Sequence, residues 1–416
     1  DFIPVHTAQY AALLRPTGAH VSRLTQYNTR MHVSVIDSLE KILASQWNAL
    51  AGESNPFLRH EFLSALESTG CVSARTGWRP QHLIVHRDAS STGDLVGALP
   101  LYLKSHSYGE YVFDWAWANA YEQAGLRYYP KLVAGIPFTP VTGPRLLSIA
   151  GAESATIKRL LVDSALELMR EHQASSLHWL FLTPEDAQLL ETEGHLLRTG
   201  CQFHWSNPGY RDLEDFLSTF TAHKRKKIKR ERRHVQEADI TMEILTGASI
   251  EPSHWNVFHE FYHSTIRAHG AMPYLSLDFF HRLGETMRDR VVLVFARRGT
   301  DYVAGALNLR GTDTLYGRYW GCRGEFHSLH FETCYYTAIE YCIAQGLSRF
   351  EAGAQGEHKL ARGFTPVVTR SAHRLAHPQF SRAVADYLAR ERLDVHAYVN
   401  ELNEHAPFKK ALTAEK

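Results

Sequence analysis

"EHKLARGFTPVVT", residues 357–369, echoes "PKLVAGIPFTPVTG", residues 130–143, more than two hundred positions earlier in the same chain. Lys131-Leu132 and Lys359-Leu360 precede Phe-Thr-Pro-Val in the same order, which makes chance a poor explanation of the shared four letters. A second pair of landmarks extends the echo. "VGAL" (96–99) and "AGAL" (304–307) are both second strands of expected hairpins, offset by 208 residues against 226 for the Phe-Thr-Pro-Val pair. The later copy is thus 18 residues longer between landmarks, the length of the helix expected at 328–345. The expectation is two copies of one unit, superposable over 81–143 and 291–369, with the helix reduced to "YEQAGLRYYP" in the first.

The flanking patterns fit a mixed α/β unit. "HVSVIDS" reads as a strand and "PFLRHEFLSALES" as a helix. "QHLIVHRD" and "LVGALPLYLK" form a hairpin across a Ser/Gly turn, "YVFDWAWA" is a strand, and Glu153 to His172 is an amphipathic helix. After "SLHWLFL", "PEDAQLLETEG" and "CQFHWS", the turn formers Asn207-Pro208-Gly209 mark a boundary. The same grammar then repeats through "ITMEIL", two helices, the hairpin "VVLVFARRG"/"YVAGALNLRG", "TLYGRYWGC", a helix, "RFEAGA", "FTPVVTRSAHRL" and a C-terminal helix. The fold class is α/β (α+β), with domains at 31–208 and 209–416, each a mixed, largely antiparallel sheet flanked by helices.

At 416 residues, 44% hydrophobic and 21% charged, the chain is long enough for two cores and has no apolar run of membrane-spanning length. Five cysteines without a CxxC pair read as reduced thiols, favouring a cytoplasmic location over a disulfide framework. Residues 1–30 carry three arginines and no acid after Asp1. They read as an extension: an added leader, sequence upstream of a start at Met31, or the remnant of a mitochondrial or plastid presequence.

Strand, two helices, hairpin, third strand, helix, strand and final strand is the element order of the GNAT acyltransferase fold. A tandem pair opened by a basic helix resembles the Fem-type aminoacyltransferases. More closely, "YGEYVFDWAWANAYEQAGLRYYPKL", "FTPVTGPRLL", "GRYWGC", "FHSLHFETCYYTAIEYC" and "GAQGEHKLARGF" resemble the Fem-like N-acyltransferases described as peptidoglycan biosynthesis or recognition proteins. The resemblance spans roughly residues 31–410. It implies transfer of an acyl or aminoacyl group from acyl-CoA or aminoacyl-tRNA to an amine, with no tightly bound cofactor. A non-enzymatic alternative keeps the fold as an RNA- or protein-binding component.

GNAT-type chemistry needs a neutral acceptor amine, a polarised donor carbonyl and a cradle for donor phosphates. In "RYWGCRG", Arg318 and Gly321 match the R-x-x-G start of a pyrophosphate loop, while Arg323 stands where a small residue belongs and Gly324 comes one position late. "FHSLHFE" offers His330 and Glu332 as candidate bases. "QGEHKLARGF" offers Glu357 as a base and Lys359 as an anion contact, with Lys131 as its earlier echo and Glu351 as a further base candidate. Asp114 is the one charge inside an aromatic run and is a candidate by its expected perturbed pKa. No metal-binding spacing is complete. "HKRKKIKRERRH" (223–234) has eight Lys/Arg and one Glu, so Lys226, Lys227 and Arg230 are candidates for a polyanion such as tRNA.

Overall fold

The computed structural model describes residues 31–88, 93–268, 270, 272–354 and 356–409, so the expectation for residues 1–30 lies outside the described residues. In the first half the strands and α-helices run β1 (His32–Ile36), α1 (Ala44–Ala51), α2 (His60–Ser68), β2 (Trp78–Pro80), β3 (His82–His86), β4 (Leu95–Leu99), β5 (Leu101–Lys104), α3 (Trp115–Gln123), β6 (Lys131–Ala134), β7 (Leu147–Ser148), α4 (Ser154–Glu171), β8 (Ser176–Trp179), α5 (Pro184–Thr192) and β9 (Leu196–Ser206). The second half continues with α6 (Leu213–Ser218), α7 (Ala222–Glu237), β10 (Ile240–Thr246), α8 (Pro252–Ala268), α9 (Leu277–Thr286), β11 (Val291–Arg298), β12 (Asp301–Arg310), β13 (Thr314–Cys322), α10 (Leu329–Phe331), α11 (Thr337–Ala344), β14 (Arg349–Glu351), β15 (Thr365–Leu375) and α12 (Pro378–Glu404). None of the described helices is long and apolar enough to cross a membrane.

Eleven strands join in one sheet, ordered β10-β11-β12-β13-β14-β9-β15-β8-β6-β5-β2, and four form a smaller sheet, β1-β3-β4-β7. "LVGALPLYLK" is divided between the two sheets at Pro100, which has no N–H to continue a ladder. The halves interlock. β9 lies between β14 and β15, and β15 lies between β9 and β8, so each half's last strand is paired on both sides within the common sheet.

The doubling is visible in the parallel pairs. β6 and β8 are parallel and connected through α4, and β13 and β14 are parallel and connected through α10 and α11. The hairpin landmarks are equivalent, since 96–99 lie in β4 and 304–307 in β12, each the second strand of an antiparallel pair. The Phe-Thr-Pro-Val landmarks are not. Phe138–Val141 lies before its helix, between β6 and α4, whereas Phe364–Val367 lies after its helix and runs into β15. The expected superposition of 81–143 on 291–369 is therefore corrected: the first-half partner of α10 and α11 is α4, and the 18-residue difference is not a lost helix. Shared turn chemistry, with proline fixing φ after a small polar residue, had placed unlike elements in register.

A second correction concerns "YVFDWAWA". Tyr111 has φ of 60° and α3 begins at Trp115, so the aromatics do not alternate along a strand. Trp117 and Tyr121, four apart, are buried, while Phe113 and Trp115 are exposed. The interleaved alanines favour a helix, and the period-two spacing of the rings was coincidental.

Candidate active site

β13 and β14 hold register over three pairs, ending at Tyr316 opposite Glu351. β14 stops there, while β13 runs on to Cys322. Against β12, Gly317 faces Asn308 and Tyr319 faces Leu307, which leaves Arg318 as a bulge residue. The divergence opens a cavity of about 560 Å³ whose walls include Gly317, Arg318, Tyr319 and Trp320 of β13, Ala352 beyond β14, and His330, Cys334 and Tyr335 of the following helix. A π-helical turn, Glu332–Tyr336, joins α10 to α11 beside the cavity. π-Turns inside α-helices are frequent at functional sites.

The first half reaches into this second-half cavity. Tyr111 lines it, with Tyr274 and Tyr262 from the other side. Arg318 donates to the carbonyl of Phe138, Tyr319 OH lies 3.3 Å from the same oxygen, and Phe138 stacks on Tyr274 at 4.7 Å. The first half carries a buried arginine beyond its own parallel pair, β6 and β8. There Arg145 is fully buried, its guanidinium donating to the carbonyls of Val141, Gly143, Pro144 and Leu180 at 2.7–3.2 Å.

The sequence candidates separate around this cavity. His330 is on its wall, packed edge-on against Trp320 and Tyr335, and burial lowers its pKa to about 4. Lys359 is buried with its ammonium 2.9 Å from the Gly353 carbonyl; burial, with Arg318 adding, lowers its pKa to about 8. Glu351 is at the closed end of the divergence. Burial raises its pKa to about 7, and its Oε2 has no hydrogen-bond partner among the described residues.

Glu332 instead accepts from Arg232 with both oxygens at 2.9–3.1 Å, and Glu357 accepts from Tyr398 OH at 2.6 Å on the exposed side. "RYWGCRG" does not gather into one loop. Arg318 faces the cavity, while Arg323 is exposed and pairs with Glu260 at 2.6 Å. A side chain at Gly321 would come within 1.9 Å of the Phe261 carbonyl oxygen, so the glycine there permits close approach of β13 to α8. Gly324 makes the turn after β13 at φ +94°.

α7 forms as read. Ile228, Glu231 and Val235 face inward, Arg232 is paired with Glu332 and Glu340, and Lys226, Lys227 and Arg230 are exposed. Lys227 and Arg230 line a second pocket beside the first.

Asp114 and Lys131 do come together, in a buried knot away from the cavity wall. Lys131 donates to Ser107 Oγ at 2.7 Å, to Glu110 Oε2 at 2.8 Å and to Asp114. Tyr128 OH donates to Asp114 Oδ2 at 2.6 Å and lies 3.3 Å from His178 Nε2. His178 and His373, opposite each other on β8 and β15, share a 2.7 Å contact between their Nδ1 atoms. Burial lifts Glu110 to about 7; Lys131 with His178 holds Asp114 well below the usual carboxylate range against its burial. The sequence reading missed His178 and His373. His178 lies in the strand "SLHW", and an imidazole between two large apolar residues was the available signal.

Buried neutral histidines set the pH response of the fold. Burial lowers His178 and His204 to about 3, His106, His195 and His330 to about 4, and His373 well below 6.5. A histidine depressed in the folded state is protonated first in the unfolded chain, so stability falls as pH drops below about 6.5. Each fully depressed group costs about 2 kcal/mol between pH 6.5 and pH 5. Glu110 and Glu351, raised to about 7, act in the opposite direction but are fewer. The urea midpoint is expected to drop between pH 7 and pH 5; a flat or rising midpoint would contradict the neutral assignment.

The family model for FemAB-like proteins, described as peptidoglycan biosynthesis/recognition, matches residues 38–410. Among solved structures, FemX aligns with a TM-score of 0.51 at 11% identity, covering 83% of this chain and 98% of that one. The C-terminal domain of a putative lysylphosphatidylglycerol synthetase from Agrobacterium fabrum gives 0.48 at 10% identity, over 84% and 95%. A tandem GNAT protein from the clavulanic acid biosynthesis pathway gives 0.45 at 15% identity, over 84% and 99%. No curated protein sequence matches. With the family model spanning nearly the whole described chain, the protein belongs to the FemAB-like family.

Proposed function

We propose that the protein is an N-acyltransferase that moves an acyl or aminoacyl group from an activated donor, acyl-CoA or aminoacyl-tRNA, to an amine, with the reaction in the second-half cavity. The observation that carries this reading is the parting of β13 from β14 beside that cavity. The donor carbonyl would lie in the parting, where β13 main-chain N–H groups past Tyr316 have no β14 partner to occupy them. Arg318 and Lys359 would supply positive charge as the tetrahedral oxyanion forms. His330, neutral at working pH, would accept the proton lost by the attacking amine, with Glu351 as the buried carboxylate whose pKa near 7 suits a relay. The amine nitrogen bonds to the carbonyl carbon, the donor's sulfur or ester oxygen leaves with the electron pair, and the proton returns to it. The family's description makes a peptidoglycan-precursor amine the first acceptor to test.

Lys226, Lys227 and Arg230 would hold the donor's anionic portion. All three are exposed, so Lys226→Glu, Lys227→Glu and Arg230→Glu together should leave the melting temperature nearly unchanged. Binding of tRNA or coenzyme A, measured by fluorescence anisotropy or calorimetry, is expected to be lost, with a shallower dependence on salt. Undiminished binding with the same salt slope would show the helix face to be merely solvated. Single-turnover assays with each donor and a panel of amines test the reaction itself. Transfer with neither donor, despite tight binding of RNA, would favour the non-enzymatic reading.

A further inference from the structure

The second pocket, about 410 Å³, is separated from the transfer cavity by one layer of side chains. His330 and Tyr335 face the cavity, Phe331 and His358 face the pocket, and Tyr335 OH is 2.9 Å from His358 Nε2. Three elements wall it: α7 with Lys227, Arg230, Glu231 and His234; the turn into α10 with His327 and Ser328; and the 3-10 turn 357–362 with His358 and Arg362.

The charges there are not balanced within the protein. Glu231, the one carboxylate on the wall, is already used: it accepts from Arg362 Nη2 at 3.0 Å on both oxygens and from Tyr336 OH. Lys227 and Arg230 have no ion pair among the described residues, unlike Lys229, paired with Glu214, and Arg232, paired with Glu332 and Glu340. Arg362 is 4% exposed, stacks on Phe331 at 3.3 Å, and keeps an Nε–H with no acceptor among the described residues. A buried, unused guanidinium donor is costly unless something accepts from it.

The histidines add a second unmet requirement. His234 Nδ1 and His327 Nδ1 are 2.9 Å apart, and Ser328 Oγ is 2.8 Å from the same His327 nitrogen. Such a contact holds only while one Nδ1 is unprotonated and accepts. An anion with several lone pairs between them would accept an N–H from each ring in place of this contact.

We propose that this pocket is a binding site for a dianionic phosphate monoester, held by Lys227, Arg230 and Arg362, with His234 and His327 donating to its outer oxygens. The dianion matches the surplus of positive charge, whereas a phosphodiester brings one charge and fewer free oxygens. The proposal rests on, and sharpens, the reading of Lys227 and Arg230 as anion contacts. It is read by binding alone, so an inactive transfer cavity would leave the result unaffected.

The test uses inorganic sulfate, which stays dianionic throughout, inorganic phosphate, and dimethyl phosphate as a monoanionic diester, each titrated calorimetrically against the full chain at pH 8, 7 and 6. Sulfate is expected to bind with a measurable heat at pH 6. Dimethyl phosphate should bind at least tenfold more weakly at pH 6. In the variant carrying His234→Gln and His327→Gln, sulfate should still bind, about tenfold more weakly. In the variant with Lys227→Ala and Arg230→Ala it should not bind measurably. The affected rings are at the surface, so circular dichroism melts should match the parent. Failure of sulfate to bind at pH 6, a diester binding as tightly, or undiminished sulfate affinity after loss of both histidines would each overturn the proposal. CoA against dephospho-CoA then tells whether the monoester comes from the 3′-phosphate of that donor or from another phosphorylated ligand.

Discussion

Lys131→Met is expected to cost about 3–5 kcal/mol of unfolding free energy, among the largest losses for any single substitution outside the apolar core. The reason is the asymmetry of a buried charge cluster. Lys131 is 0% exposed, Asp114 2% and Glu110 3%, so removing the ammonium leaves two desolvated carboxyls without their cation. Glu110, already raised to about 7, can take a proton; Asp114 keeps the Tyr128 hydroxyl, but nothing replaces the charge. Adding Glu110→Gln and Asp114→Asn to Lys131→Met should recover most of the loss, because it removes the unpaired charges together with their partner. A loss below about 1 kcal/mol for Lys131→Met in urea unfolding, or no recovery in the triple variant, would show that these groups are not charged in the fold.

The knot also holds the segment by which the first half reaches the second-half cavity. Tyr111 sits at φ 60°, a backbone region costly for an aromatic residue, and is flanked by Glu110 and Asp114, both tied to Lys131. The same segment places Tyr111 on the wall of the second-half cavity, with its phenol facing Arg318. Lys131 is thus a peg for a loop that lines the other half's cavity. Its resemblance to Lys359 in "KL…FTPV" is one of letters, since one lysine begins strand β6 and the other lies in a 3-10 turn.

That contrast shows what could be read from the chain. Element order was legible because hydrophobic period reports which face of each segment is buried, as in α4 and in the hairpin of β11 and β12. The exchange of β9 and β15 was not, because pairing partners are chosen by tertiary packing and leave no local period. For the candidate site, the sequence singled out His330 at a helix start, Arg318 beside Gly317 in a strand, Lys359 in a glycine-bracketed loop and Glu351 in a short strand. Glu332 and Glu357 carried the same local signal but are engaged by Arg232 and Tyr398, residues 100 and 41 positions away. Such partners decide between a free base and a paired carboxylate, and only the fold supplies them.

The largest kinetic effect should follow that division. His330→Ala is expected to lower the single-turnover rate by roughly 10²–10⁴ with little change in donor affinity, as removal of a proton acceptor does. Glu357→Gln should leave the rate unchanged, and Glu332→Gln should destabilise by about 1–3 kcal/mol through the loss of one of Arg232's two carboxylate partners, without a comparable loss of rate in the folded fraction. A pH profile adds an independent reading. With its pKa near 4, His330 remains a neutral acceptor from pH 5 upward, so no acid limb should arise from it near pH 6. Lys359, at about 8, loses its charge as pH rises through that value, and donor binding should weaken there. Lys359→Arg keeps the cation and should abolish the alkaline limb, because a guanidinium stays protonated. If the limb persists in that variant, Lys359 is not the titrating cation; if His330→Ala also keeps its rate, proton removal passes to Glu351, and Glu351→Gln becomes the decisive substitution.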